Sequence, residues 1–180
     1  MDYSLTRPHL HAILPDHFLS MVHTLERLEA RGYRRIGLCL EQRKEVRLKN
    51  KWTAGYLAHF RDATDGLPPL VVPQELTREI FLEWFRRHRP EVVVGHVQEI
   101  VAWLQAEGVS VPQDTGFFNL NLTERTGPCA GLDLQPQRLG AIAVETVVGM
   151  MHRQERGVPA QAQSVTLEGL WNEGPTLRRG

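Results

Sequence analysis

An α/β fold with an open, mostly parallel, doubly wound sheet flanked by helices is what this sequence predicts, and three observations carry it. Short, nearly continuous apolar runs recur at residues 34–40, 70–72, 92–94 and 115–118. The segments between them place apolar residues at the 3.6-residue period of a helix. Parallel neighbours need a crossover, nearly always a right-handed helix, so this alternation implies parallel strands buried on both faces.

Taken in order, residues 1–15 hold Pro8 and Pro15 and read as an irregular connector from an upstream lobe. Asp16 is placed to cap a helix striped by Phe18, Met21, Val22, Leu25 and Leu28, with Gly32 as its stop. After the strand at 34–40, the charged segment 41–51 opens a helix on which Trp52, Tyr56 and Phe60 share a face. Gly66, Pro68 and Pro69 end it. A strand at 70–72 leads to a helix capped by Thr77, carrying Ile80, Phe81, Trp84 and Phe85 and stopped before Pro90. The strand at 92–94 is followed by a helix with Val97, Ile100, Val101 and Leu104, ending at Gly108, and then by the strand at 115–118. Residues 16–127 thus form one lobe. The remainder, 128–180, reads as an extended piece at 129–134, a long helix from Pro136 with Leu139, Ile142, Ala143, Val147, Met150 and Met151 on one face, and a strand at 164–170. The tail after Trp171 carries no pattern.

At 180 residues the chain is long enough to bury one good core. Its 42% hydrophobic and 23% charged residues exclude a disordered chain and a coiled coil. Lys and Arg number 21 and so do Asp and Glu, whereas a domain that lives on phosphate backbones carries a basic excess. By itself this stretch is a poor nucleic-acid binder. Cys39 and Cys129 stand far apart with no second thiol near either, which suits a reducing compartment. The start shows no signal peptide, and no run approaches the ~18 apolar residues of a spanning helix. A cytoplasmic protein, not membrane-embedded, is expected.

In such a sheet ligands collect at the carboxyl ends of the strands, here the loops 41–49, 73–76, 95–96 and 119–126. None has the glycine pattern that cradles phosphates, and no G-x-S-x-G elbow is present, so no catalytic residue and no cofactor are implied. His9, His11, His17 and His23 lack the Cys or carboxylate partners of a metal site and read as surface histidines. His96 with Glu99 or Asp114 is the one pair that a small α/β enzyme would offer. Arg43, Lys44, Arg47, Lys49 and Lys51, interrupted by Glu41 and Glu45, form either a solvated face or the rim of a ligand cleft. Asn119 and Asn121 carry donors and acceptors suited to a ligand with hydroxyls or amides, and a turn role for one of them is the alternative. Trp52 and Trp84 read as core residues, but Trp52 also lies close enough to the first strand end to stack on a ligand. The candidate ligand contacts are Arg47, Trp52, His96, Asn119 and Asn121.

Several strings resemble one known family. Leu28, Gly32, Tyr33, Arg34, Arg35, Ile36 and Gly37 resemble the "hL-x-x-x-G-h/y-r-r-I-g" signature of lactose-repressor-like (LacI/GalR) bacterial transcription regulators. Gly55 with Tyr56 is similar to their "G-[FY]" helix, and Gly108, Val111, Pro112 and Asp114 to their "G-l-x-V-P-x-D". Gly131, Leu132, Leu139, Gly140, Ala143 and Gly157 follow in the family's order. The resemblance implies a periplasmic-binding-protein-like C-terminal lobe, a small-molecule effector between two lobes, a homodimer, and operator DNA contacted only through an N-terminal head that this chain lacks. It also implies that the helix from Pro136 packs on the first lobe. Three family positions depart: its sugar-gripping arginine is Trp52, its N-D pair is Gly95 with His96, and its anchoring aspartate is Asn121. With these exchanges the expected effector is a sugar-like compound or another polar metabolite. A solute-binding protein of the same architecture is the alternative function.

Overall fold

The computed structural model describes residues 7–62, 66–124 and 126–179. Six strands form one sheet in the order β3-β2-β4-β5-β6-β8: β2 (Ile36–Glu41), β3 (Leu70–Val72), β4 (Val92–Gly95), β5 (Gly116–Asn119) and β6 (Ala130–Asp133) are parallel, and β8 (Leu170–Asn172) is antiparallel. The expected mixed, mostly parallel α/β fold is the observed one.

The two-residue period of the strands sorts the core into two layers. Ile36, Leu38, Leu40, Val92, Val94 and Phe118 face helices α1 (His17–Ala30) and α3 (Lys51–His59). Cys39, Val93 and Phe117, one residue out of phase, face α4 (Arg78–His88) and α5 (Glu99–Ala106), which contribute Phe81, Trp84, Ile100 and Leu104. Helices therefore lie on both faces. Local signals set their ends: the Asp16 carboxylate accepts from Leu19 N at 3.1 Å, and Thr77 accepts from Ile80 N at 3.4 Å. Gly32 adopts φ +87°, the left-handed turn that releases the chain into β2.

Four expectations need correction. The helix foreseen from residue 41 through Phe60 is two helices, α2 (Gln42–Arg47) and α3, because Lys49 and Asn50 take positive φ between them. Part of the supposed connector is a strand, β1 (Ala12–Pro15); residues 1–6 lie outside the described residues. It pairs in parallel with β7 (Ser164–Leu167), a partner some 150 residues away that no local pattern announces. The strand foreseen at 164–170 is split, β7 joining β1 and β8 joining the large sheet. Finally, the tail is structural. β5 and β6 pair only at Phe118 with Ala130 and Asn119 with Gly131, so Thr176 fills the gap. Phe117 N donates to Thr176 O at 2.8 Å, and the Thr176 hydroxyl bridges Phe117 O and Ala130 N.

Helix α6 (Pro136–His152) touches β1 but buries little: Leu139 is its one fully buried residue, and Val144, Val147, Val148 and Met151 are exposed. The apolar face foreseen for it is real, and it is open.

Candidate functional site

A cleft of about 1140 Å³ opens where β2, β4 and β5 end. One wall comes from the loops of the large sheet; the other comes from Ile13 and Pro15 of β1 and from Pro136 and Leu139 at the start of α6. All five residues nominated from the sequence, Arg47, Trp52, His96, Asn119 and Asn121, line this one cavity. The topology brings them together because parallel strands all end on the same side of the sheet.

Glu41 stands behind the lining residues Lys44 and His96. The last residue of β2 and nearly buried, it accepts from Leu76 N at 3.2 Å, and from Lys44 Nζ at 2.6 Å, tying the loops after β2 and β3 together. His96 Nε2 lies 3.5 Å from the same carboxylate, an ion-pair distance without hydrogen-bond geometry. Burial by itself would raise the Glu41 pKa, but the hydrogen bonds from Lys44 and Leu76 outweigh it and leave the pKa below the usual carboxylate range. Glu41 and Glu45, which interrupt the basic run expected to be either a solvated face or a cleft rim, are both buried.

The two asparagines divide their roles. Asn119 is buried, and its Oδ1 accepts from Asn121 N at 2.9 Å, so it makes the turn. Asn121 is exposed at the rim. Trp52 is only 4% exposed, and His17 packs on it with ring centroids 4.6 Å apart at 42°. Most of the indole is thus covered by the fold, and the residue forms part of the cleft wall.

His17 was read as a surface histidine and is 4% exposed in the cleft wall. Its position as the first residue after a capping aspartate was the only available signal. His11 accepts from Gln163 N and His23 pairs with Glu168 at 2.7 Å, so the histidines disperse. Among the described residues no group of three or more His, Cys, Asp or Glu is arranged for a metal. Asp114, whose carboxylate accepts from Ser110 N, precedes β5 whereas His96 follows β4, so the two stand at opposite ends of the sheet. Cys39 and Cys129 are buried free thiols, and burial raises both pKa values.

Burial, reinforced by Lys51 and opposed by Asp16, pushes His17 down to about 4. Burial, reinforced by Lys44 and opposed by Glu41, does the same to His96. Each folded pKa lies below the unfolded value of 6.5, so between those limits the unfolded chain binds more protons and stability falls as pH drops. On the order of 2 kcal/mol per ring should be lost by pH 5. Urea denaturation at pH 5 and pH 7.5 checks this: stability should be greater at the higher pH, and replacing either histidine should shrink the difference.

A doubly wound α/β sheet whose strand ends open onto a cleft is the architecture found in bilobed binding proteins. The chain belongs to the periplasmic binding protein-like domain family, whose profile matches residues 25–171. Solved structures share the fold. A LacI family transcriptional regulator from Silicibacter pomeroyi is 17% identical, with a TM-score of 0.75 over 98% of this chain and 68% of that one. The transcriptional regulator CelR in complex with cellobiose is 14% identical, with a TM-score of 0.72 over 96% of this chain and 56% of that one. A periplasmic binding protein/LacI transcriptional regulator from Alkaliphilus metalliredigens QYMF, complexed with D-xylulofuranose, is 14% identical, with a TM-score of 0.68 over 95% of this chain and 67% of that one. The chain thus spans part of the length of these relatives. No curated protein matches it in sequence. No helix among the described residues is long and apolar enough to cross a membrane.

Proposed function

We propose that this chain is the effector-sensing region of a cytoplasmic LacI/GalR-type transcription regulator, binding a small polar ligand in the cleft and catalysing no reaction on it. The observation that carries the reading is the convergence of Arg47, Trp52, His96, Asn119 and Asn121 on one cavity at the strand ends. The family match and the regulators that share the fold support it. In this reading the protein is longer than this chain. A preceding lobe closes the other side of the cleft and covers the open face of α6, a helix-turn-helix head reads the operator, and the regulator works as a homodimer. Ligand binding changes the angle between the lobes, and its differential affinity for the two angles shifts the DNA-binding population.

Thermal-shift screening of this chain against uncharged and charged polar metabolites, followed by calorimetry, tests the reading. A ligand should raise the melting temperature, and Asn121→Ala with Arg47→Ala should weaken its binding about tenfold or more, the loss expected for one or two hydrogen bonds to a ligand. Unchanged affinity in both variants would discard the assignment.

A further inference from the structure

A second cavity, of about 930 Å³, lies at the opposite end of the sheet from the cleft. Arg31, which precedes β2, Pro112, which precedes β5, and the segment after β8 line it. That segment reaches this end because β8 runs antiparallel to β6 and so returns the chain to the amino ends of the parallel strands.

Arginines collect around the groove. Arg31, Arg178 and Arg179 belong to its lining. The Arg178 guanidinium lies 4.4 Å over the Tyr33 ring, next in sequence to Arg34 and Arg35, and Arg35 Nε donates to Arg89 O at 3.2 Å. Three carboxylates accompany these six cations: Glu173 in the lining, Asp114 beside the lining Gln113, and Glu91, which accepts from Arg34 N at 2.6 Å and Arg35 N at 3.2 Å. Gly180 lies outside the described residues, and one more carboxylate there would not reverse the excess.

Two of the guanidinium groups are already held in place. Arg31 pairs with Glu173 and donates to Arg178 O at 3.3 Å, while Arg178 is fixed over Tyr33. Arg179 is exposed and makes no hydrogen bond or ion pair among the described residues. A fixed planar fork loses little further entropy when it takes up an oxyanion in two hydrogen bonds. Between the forks the lining is apolar, with Pro112, Pro175 and Leu177. A nucleic-acid backbone would make no use of that surface, and the chain's 21 basic and 21 acidic residues lack the basic excess of a protein that binds one. A peptide that mixes carboxylates with apolar side chains fits both parts of the groove.

We propose that this groove docks an acidic segment of a partner protein, its carboxylates on Arg31, Arg178 and Arg179 and its apolar side chains on Pro112, Pro175 and Leu177. The site is separate from the ligand cleft and independent of how the cleft is read.

The test is fluorescence anisotropy with a labelled peptide of about twelve residues, glutamates interspersed with leucine and proline, titrated with this chain at about 50 mM salt. The acidic peptide should bind at least about tenfold more tightly than its glutamine counterpart and than a duplex DNA of about 20 base pairs. Arg179→Glu should weaken it at least about threefold and Arg178→Ala with Arg179→Ala at least about tenfold. Arg43→Glu, the same change of charge as Arg179→Glu but after β2 at the carboxyl ends of the strands, should leave the affinity within about twofold. Melting temperatures are recorded for every variant; should the double variant unfold, Arg179→Glu decides, since its side chain is exposed. No binding of the acidic peptide, tighter binding of the duplex, unchanged affinity in Arg179→Glu, or an equal loss in Arg43→Glu overturns the inference.

Discussion

Gly131→Ala should be the most damaging small substitution near the cleft, destabilising the chain by about 3 kcal/mol, within the upper range for overpacking. A Cβ at Gly131 would stand 2.4 Å from the Asn119 carbonyl oxygen and 2.9 Å from the Leu122 side chain. Asn119 and Gly131 are register partners, so the obstacle is backbone, which a rotamer change cannot relieve. Relief requires β6 to move away from β5, and that movement also disturbs the turn in which Asn119 Oδ1 holds Asn121 N. A melting-temperature drop of roughly 6–12 °C should follow. Gly140→Ala is the contrast: it lies inside α6 with nothing within 4 Å of the added Cβ, so it should stabilise by about 0.5–1 kcal/mol through helix propensity. Thermal unfolding followed by circular dichroism measures both. A neutral Gly131→Ala would mean that the β5–β6 edge is far softer than its geometry shows.

Glu45→Ala should cost about 2–4 kcal/mol, combining a lost helix cap with stranded, part-buried donors. Helix α3 begins after Asn50, which is left-handed and offers no side-chain cap. Its first turn is held from another helix: Glu45, 1% exposed on α2, accepts from Thr53 N at 2.9 Å and from the Thr53 hydroxyl at 2.6 Å. Removing the carboxylate frees both donors and loosens the turn that carries Trp52 into the cleft wall. Glu45→Gln keeps one acceptor oxygen and should cost about half as much. Urea denaturation ranks the two variants, and equal losses would show that charge, and not capping, is what α3 needs from this residue.

These two positions also show how far sequence reasoning reaches. Gly131 falls within a family-like string, and nothing in that string says that a neighbouring carbonyl lies against it. Glu45 sat in a run of alternating charges, whose bland reading is a solvated face. That the five nominated residues share one cavity was legible because they lie on or near loops that follow apolar runs, and parallel strands deliver all such loops to one end of a sheet. His17 was not, because its place in the cleft wall depends on β1 crossing beside α6 and on the packing of Trp52.

The sequence by itself determined the α/β class, the alternation of elements, the helix caps at Asp16 and Thr77, and the strand ends that form the cleft. Each of these follows from periodicity or capping within a dozen neighbouring residues. Only the tertiary structure decided the pairing of β1 with β7, the insertion of Thr176 between β5 and β6, the burial of Glu41 and Glu45, and the enclosure of His17. Those features depend on segments up to about 150 residues apart, and a side chain's burial is set by what folds over it, which no local pattern encodes.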